Sequence, residues 1–185
     1  MLLSNTQKQF YEYAATLANF LQDIDFDSVE RLAKDIKEYQ DKKVFICGNG
    51  GSAANASHIC NDLVSCGIDI FSLSCNQAVL TCIANDDGYE HVFSKQLLKI
   101  PRNPILRQVP TLLIVLSGSG NSKNIILALK KAKELKMLTW AIVGYDGGEA
   151  KKIADNCLHF NINDMQIAED CQLIVGHMIM RYLCK

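Results

Sequence analysis

The stretch from Val44 to Leu63 leaves this chain few ways to fold. Val44 to Cys47 is an unbroken apolar run and reads as a buried strand. Gly48, Gly50 and Gly51 follow at once and permit a tight turn with close backbone approach to a ligand. Ser52 stands where it can cap a helix. The start of that helix offers unpaired N–H groups and a positive dipole end, which suit a phosphate or another anion. His58 and Asp62 are four residues apart on the same helix, so both face one point.

The rest of the chain repeats the pattern. Residues 5–22 carry Phe10, Tyr13, Ala14, Leu17, Phe20 and Leu21 at helical spacing. Asp27 or Ser28 is expected to cap a second helix that runs to about Tyr39. Beyond the first β–α unit, the pattern predicts a short strand over 68–73 and helices over 76–85 and 89–100, separated by a turn at Asn85–Gly88. Pro101 to Pro110 reads as a loop. Thr111 to Leu116 is a continuous apolar run of the kind found in central parallel strands. A helix over 123–136, a strand over 138–143, a short helix over 149–154, a strand over 157–162 and a long helix over 165–183 complete the chain. Strands alternating with helices predict an α/β fold with a parallel sheet and right-handed crossovers. The 185 residues suit a single domain, a helical hairpin at 1–40 followed by an α/β body at 41–185.

Charge and cysteine content narrow the function. The formal net charge is −1, which implies no strong pull toward nucleic acid or an anionic membrane. No apolar run reaches membrane-spanning length, and no signal peptide precedes the first helix, so a cytoplasmic protein is expected. The eight cysteines form no CxxC pair, and several lie in apolar runs; they are expected to be reduced thiols.

Two predicted strand ends carry small, hydroxyl-rich loops, Gly48–Ser52 and Ser117–Ser122. In an open parallel sheet, ligands bind outside the carboxyl ends of the strands. Ser52, Ser117, Ser119 and Ser122 together can surround a phosphate. Neither GxGxxG after the strand nor GxxxxGK[ST] is present, which argues against a dinucleotide or NTP site. The last helix carries Glu169 and His177. If it converges with the helix bearing His58 and Asp62, two imidazoles and two carboxylates meet. That set suits zinc or a similar divalent metal, and equally a general acid/base pair.

Gly48-Asn49-Gly50-Gly51-Ser52, then Ala56-Ser57-His58, Ser117-Gly118-Ser119-Gly120-Asn121-Ser122 and Tyr145-Asp146-Gly147-Gly148, resemble the sugar-isomerase (SIS) domain family. The likeness is greatest to its phosphoheptose isomerases and covers nearly the whole chain. It implies a five-stranded parallel sheet in flavodoxin-like order, and a homotetramer with active sites between subunits. It implies a phosphosugar pocket of Asn49, Gly51, Ser52, Asp86, Ser117, Gly118, Ser119 and Ser122. The family's metal and catalytic set is His, Glu, Gln and His; by position these become His58, Asp62, Glu169 and His177. Two departures follow. Asp62 is one methylene shorter than the family's Glu, and Glu169 adds a charge where the family has Gln.

The reading favoured at this point is an aldose–ketose isomerase acting on a phosphorylated sugar, a heptose 7-phosphate first. Asp62 or Glu169 removes a proton next to the carbonyl, and His177 moves a proton at the sugar oxygens. A divalent metal, zinc first, is held by His58, Asp62, Glu169 and His177. A non-catalytic SIS module that senses a phosphosugar or binds a partner protein is the alternative. So is an isomerase for another phosphosugar.

Overall fold

A computed structural model describes residues 4–98 and 111–185. The loop expected over Pro101–Pro110, and the end of the helix expected to reach Ile100, lie outside the described residues. Five strands build one sheet: β1 (Val44–Cys47), β2 (Ile70–Ser72), β3 (Leu112–Ser117), β4 (Leu138–Val143) and β5 (Asn156–His159). Their order is β2-β1-β3-β4-β5 and every pairing is parallel. This is the flavodoxin-like order.

Alternation along the strands splits the core in two. Val44 and Ile46, Leu112, Ile114 and Leu116, and Trp140 and Ile142 face one layer. Helices α2 (Phe26–Glu38), α3 (Gly50–Ser65) and α8 (Met165–Leu183) cover it. Phe45 and Cys47, Leu113 and Val115, and Ala141 and Val143 face the other. There lie α4 (Gln77–Asp87), α5 (Ser94–Leu98), α6 (Lys123–Glu134) and α7 (Gly148–Ile153). The helix after β1 therefore packs on one face and the helix after neighbouring β3 on the other. A crevice opens between those two strand ends, at the topological switch point.

Local differences from expectation have local causes. The cap of α2 is Asp25, not Asp27 or Ser28: its carboxylate accepts the Ser28 N–H at 3.0 Å and the Ser28 hydroxyl at 2.6 Å. The Ser28 bonds hold the Asp25 carboxyl below its ordinary value. Ser52 does not cap α3, because the helix already begins at Gly50 with Asn49 as N-cap. Helix α4 runs through Asp87 and ends where Gly88 takes φ +96°, followed by a 3₁₀ turn over Tyr89–His91 and then α5.

The expectation that all cysteines are free is corrected. Cys66 and Cys184 form a disulfide with Cα atoms 5.0 Å apart. They are the C-cap residues of α3 and α8, two helices brought side by side only by the fold. The other six cysteines are free, and burial pushes the Cys157 and Cys171 thiols up to about 11.

Helix α1 (Asn5–Gln22) lies against the outer side of the α8 layer and buries none of its residues fully. Leu17, Phe20 and Leu21 pack on the core while Phe10 and Tyr11 stand in solvent. The Tyr13 hydroxyl donates to Asp170 at 2.6 Å, which pushes the phenol up to about 12.

Trp140 is fully buried in β4, and its indole N–H donates to Asp35 of α2 at 2.7 Å. Asp35→Ala leaves a buried donor without a partner, at a cost of about 1–3 kcal/mol. Each kcal/mol lowers the melting temperature by roughly 2–4 °C in a chain of this size. Thermal unfolding of the variant checks this; an unchanged midpoint means another acceptor replaces Asp35.

Candidate active site

The crevice between β1 and β3 holds a cavity of about 250 Å³ lined by Asn49, Gly50, Ser52, Leu116, Ser117, Gly118, Ser119, Ser122, Met165 and Glu169. Two helix starts open on it. Asn49 is the N-cap of α3 and Ser122 of α6, and neither makes a side-chain capping bond. Neither helix has an acidic residue in its first turn. Two positive dipole ends therefore converge, an arrangement that favours an anion. The loop between β3 and α6 is fixed internally: the Gly120 N–H donates to Ser117 Oγ at 3.0 Å and the Asn121 N–H to Ser119 Oγ at 3.2 Å.

Asn49 is free of capping because its amide is engaged elsewhere. It exchanges two hydrogen bonds, of 2.9 and 2.8 Å, with buried Asn124, and its Oδ1 also accepts from the Tyr89 hydroxyl at 3.0 Å. A second cavity, of about 400 Å³, adjoins through Asn49 and Ser122 and is walled by Tyr89, Glu90, Lys123 and Asn124. Among the described residues no lysine or arginine lines the first cavity, and Lys123 lines the second.

Glu169 enters the first cavity from α8. Its Oε1 accepts the Ser52 N–H at 3.2 Å. A Cβ on Gly51 would meet this carboxylate, which would have to move aside to admit it. Asn55 ties the two helices further, donating to the Glu169 carbonyl at 2.8 Å and to Gln172 Oε1 at 3.4 Å. Gln172 is fully buried, and its Nε2 has no partner among the described residues.

Further along the same helix pair, His58, Asp62 and His177 come together. The two Nε2 atoms are 3.0 Å apart; Asp62 Oδ2 is 3.4 Å from His58 Nε2 and 3.7 Å from His177 Nε2. Three potential ligand atoms thus lie within 4.8 Å of one another. Donors on a tetrahedral zinc, about 2.0–2.1 Å from the ion, are about 3.3–3.4 Å apart. The observed separations straddle that value, so two imidazoles and a carboxylate fit a divalent ion with room for a further ligand. Both imidazoles are about half exposed and Asp62 is 18% exposed, so the cluster is reachable from solvent.

The structure thus divides the predicted residues into groups. Asn49, Ser52, Ser117, Gly118, Ser119 and Ser122 line one cavity, with Gly51 beneath Glu169. His58, Asp62 and His177 form the cluster. Glu169 stands with the first group and not the second: its carboxylate is spent on the Ser52 N–H. Asp86 lines neither cavity; at the end of α4 it accepts from the Asn85 amide at 2.9 Å. Sequence reasoning missed Asn55, Tyr89, Asn124 and Gln172. Asn55 alone had a local signal, lying one turn from both Ser52 and His58 on α3.

Comparison with known proteins places the fold in a family. The SIS domain family model matches residues 9–144. A phosphoheptose isomerase of Akkermansia muciniphila is 35% identical over 84% of this chain and 82% of its own length. One of Helicobacter pylori is 33% identical over 94% and 91%. Among solved structures, phosphoheptose isomerase GmhA of Neisseria gonorrhoeae superposes with TM-score 0.88 at 27% identity, covering 97% of this chain and 98% of that one. The Francisella tularensis phosphoheptose isomerase shares the fold, with TM-score 0.85 at 21% identity over 98% of each chain. The chain belongs to the SIS domain family, as a relative of its phosphoheptose isomerases.

Proposed function

We propose that this chain is an intramolecular oxidoreductase that interconverts sedoheptulose 7-phosphate and D-glycero-D-manno-heptose 7-phosphate. The phosphate binds in the cavity between the starts of α3 and α6, among Ser52, Ser117, Ser119 and Ser122. The observation that carries the reading is the spacing of two sites along one helix pair. His58 lies six residues beyond Ser52 on α3, about 9 Å of helix rise. That separation is comparable to the span of an extended seven-carbon phosphosugar, so a substrate anchored by its phosphate presents its carbonyl end to His58, Asp62 and His177.

His58, Asp62 and His177 would hold a divalent metal, zinc first. When bound, the metal polarises the sugar carbonyl and favours loss of the neighbouring proton. The protein supplies the proton acceptor, and Asp62 is the carboxylate at the carbonyl end. It takes the proton from the carbon beside the carbonyl and delivers it to the former carbonyl carbon through an enediol, while the carbonyl oxygen gains a proton and the neighbouring hydroxyl gives one up. Glu169 works at the phosphate end, where it holds the start of α3 and shapes the cavity. The phosphate cavity orients the substrate, so the reacting carbon meets the carboxylate in a fixed pose.

Exposed Phe10 and Tyr11 on a helix that buries none of its residues support a homotetramer assembled partly through α1. Among the described residues no helix is long and apolar enough to cross a membrane, which is compatible with a cytoplasmic enzyme.

The test is incubation of the purified protein with sedoheptulose 7-phosphate in deuterated water, followed by NMR. The expected result is an aldose 7-phosphate with solvent deuterium at the carbon next to its carbonyl. No turnover, with retained phosphosugar binding by calorimetry, would instead favour a non-catalytic module.

A further inference from the structure

Helices α3 and α8 run parallel and in register. Ser52 meets Glu169, Asn55 meets Gln172 and His58 meets His177, at sequence separations of 117, 117 and 119. Cys66 and Cys184 are the next rung, at 118. Beside the imidazoles the helices also approach closely at Gly176, where a Cβ would come within 2.5 Å of Ile59. The disulfide closes the C-terminal ends of the two helices that carry the His/Asp cluster.

We propose that Cys66 and Cys184 form a reversible redox clasp that fixes His177 against His58. The inference rests on reading these imidazoles as a functional pair. His177 stands seven residues before Cys184, so its carbonyl bonds belong to the last two turns of α8. In those turns Ile179 is buried in the core, but beyond it Arg181, Tyr182 and Cys184 are exposed, and Met180 and Leu183 are only partly buried. An exposed helix end frays unless something ties it down. When oxidised, the clasp ties it to the end of α3; when reduced, the residues beyond Ile179 keep only partial apolar packing.

The chemistry is thiol–disulfide exchange with a small-molecule disulfide. The exposed Cys184 thiolate attacks one sulfur of that disulfide, breaking its S–S bond and releasing one thiol. The Cys66 thiolate then attacks Cys184 Sγ in the mixed disulfide and releases the second thiol. Two electrons pass from the protein to the reagent, and the two released thiolates take up the protons. Because coupling is reciprocal, a metal that binds the oxidised form better also protects the disulfide from reduction by the same factor.

The experiment compares full-length protein equilibrated with excess glutathione disulfide, the same protein reduced, and a Cys66→Ser/Cys184→Ser variant. Peptide mass mapping reports the bond, hydrogen exchange reports α8, and cobalt(II) titration reports the cluster. The clasp predicts a Cys66–Cys184 peptide after oxidation and roughly tenfold faster exchange in α8 from residue 177 onward once the bond is absent. It also predicts cobalt affinity about fivefold or more higher in the oxidised protein than in the serine variant. Failure to form the bond overturns the proposal, as does a bond that leaves α8 exchange unchanged. If cobalt binds no form, the metal reading fails by itself, and the exchange data alone uphold or overturn the clasp.

Discussion

Replacing His177 by alanine is expected to lower isomerase turnover by about 10²–10⁴-fold and to remove the bound metal in the same step. His177 Nε2 is 3.0 Å from His58 Nε2 and 3.7 Å from Asp62 Oδ2, so its loss reduces a three-donor cluster to two. The side chain is about half exposed, so truncation opens no core cavity and the melting temperature should hardly move. The phosphate cavity is formed by other residues of α8, Met165 and Glu169, and by the two loops. Phosphosugar affinity should therefore survive while kcat falls. Calorimetry, kinetics and elemental analysis of wild type and variant, both purified without chelator or a metal-binding tag, give the three readouts. If neither protein carries metal and turnover still falls, His177 is a proton carrier and not a ligand. If turnover persists, the cluster is not the reacting end of the site.

The His58/Asp62 pair was legible because helical spacing alone puts residues four apart on one face, and the structure places their atoms 3.4 Å apart. The β1 and β3 runs were legible because strands buried on both faces leave continuous apolar sequence. Glu169 was harder. Eight residues separate it from His177, about 12 Å of helix rise, so the two side chains serve different ends of the site. A resemblance that supplies residue types by position does not show that one carboxylate turns to a helix start while the other joins two imidazoles. The Asn49–Asn124–Tyr89 contacts draw on three distant segments, and the Cys66–Cys184 bond spans 118 residues. Neither leaves any local pattern. The cap was placed three residues late, at Ser52 and not Asn49, because the helix starts inside the glycine turn, with Gly50 at φ +55°.

Two carboxylates are candidates for proton abstraction, and one pair of variants separates them. Asp62→Asn should cost about 10²–10⁴-fold in kcat, because an amide accepts no proton and this side chain lies beside both imidazoles. It should also weaken metal binding, since a neutral amide replaces a charged oxygen donor. Glu169→Gln should behave differently. The amide oxygen can still accept the Ser52 N–H now held at 3.2 Å, so the start of α3 keeps its shape. What disappears is a negative charge from the wall of a cavity that, among the described residues, no lysine or arginine lines. A phosphate entering that cavity then escapes repulsion from a carboxylate a few ångströms away. At an effective dielectric near 20, that repulsion is large enough for KM to fall on the order of tenfold. The kcat of Glu169→Gln should stay within a few-fold of wild type. The opposite pattern, with kcat lost in Glu169→Gln and kept in Asp62→Asn, would transfer the base to Glu169. The carboxylate would then have to leave the Ser52 N–H when substrate binds.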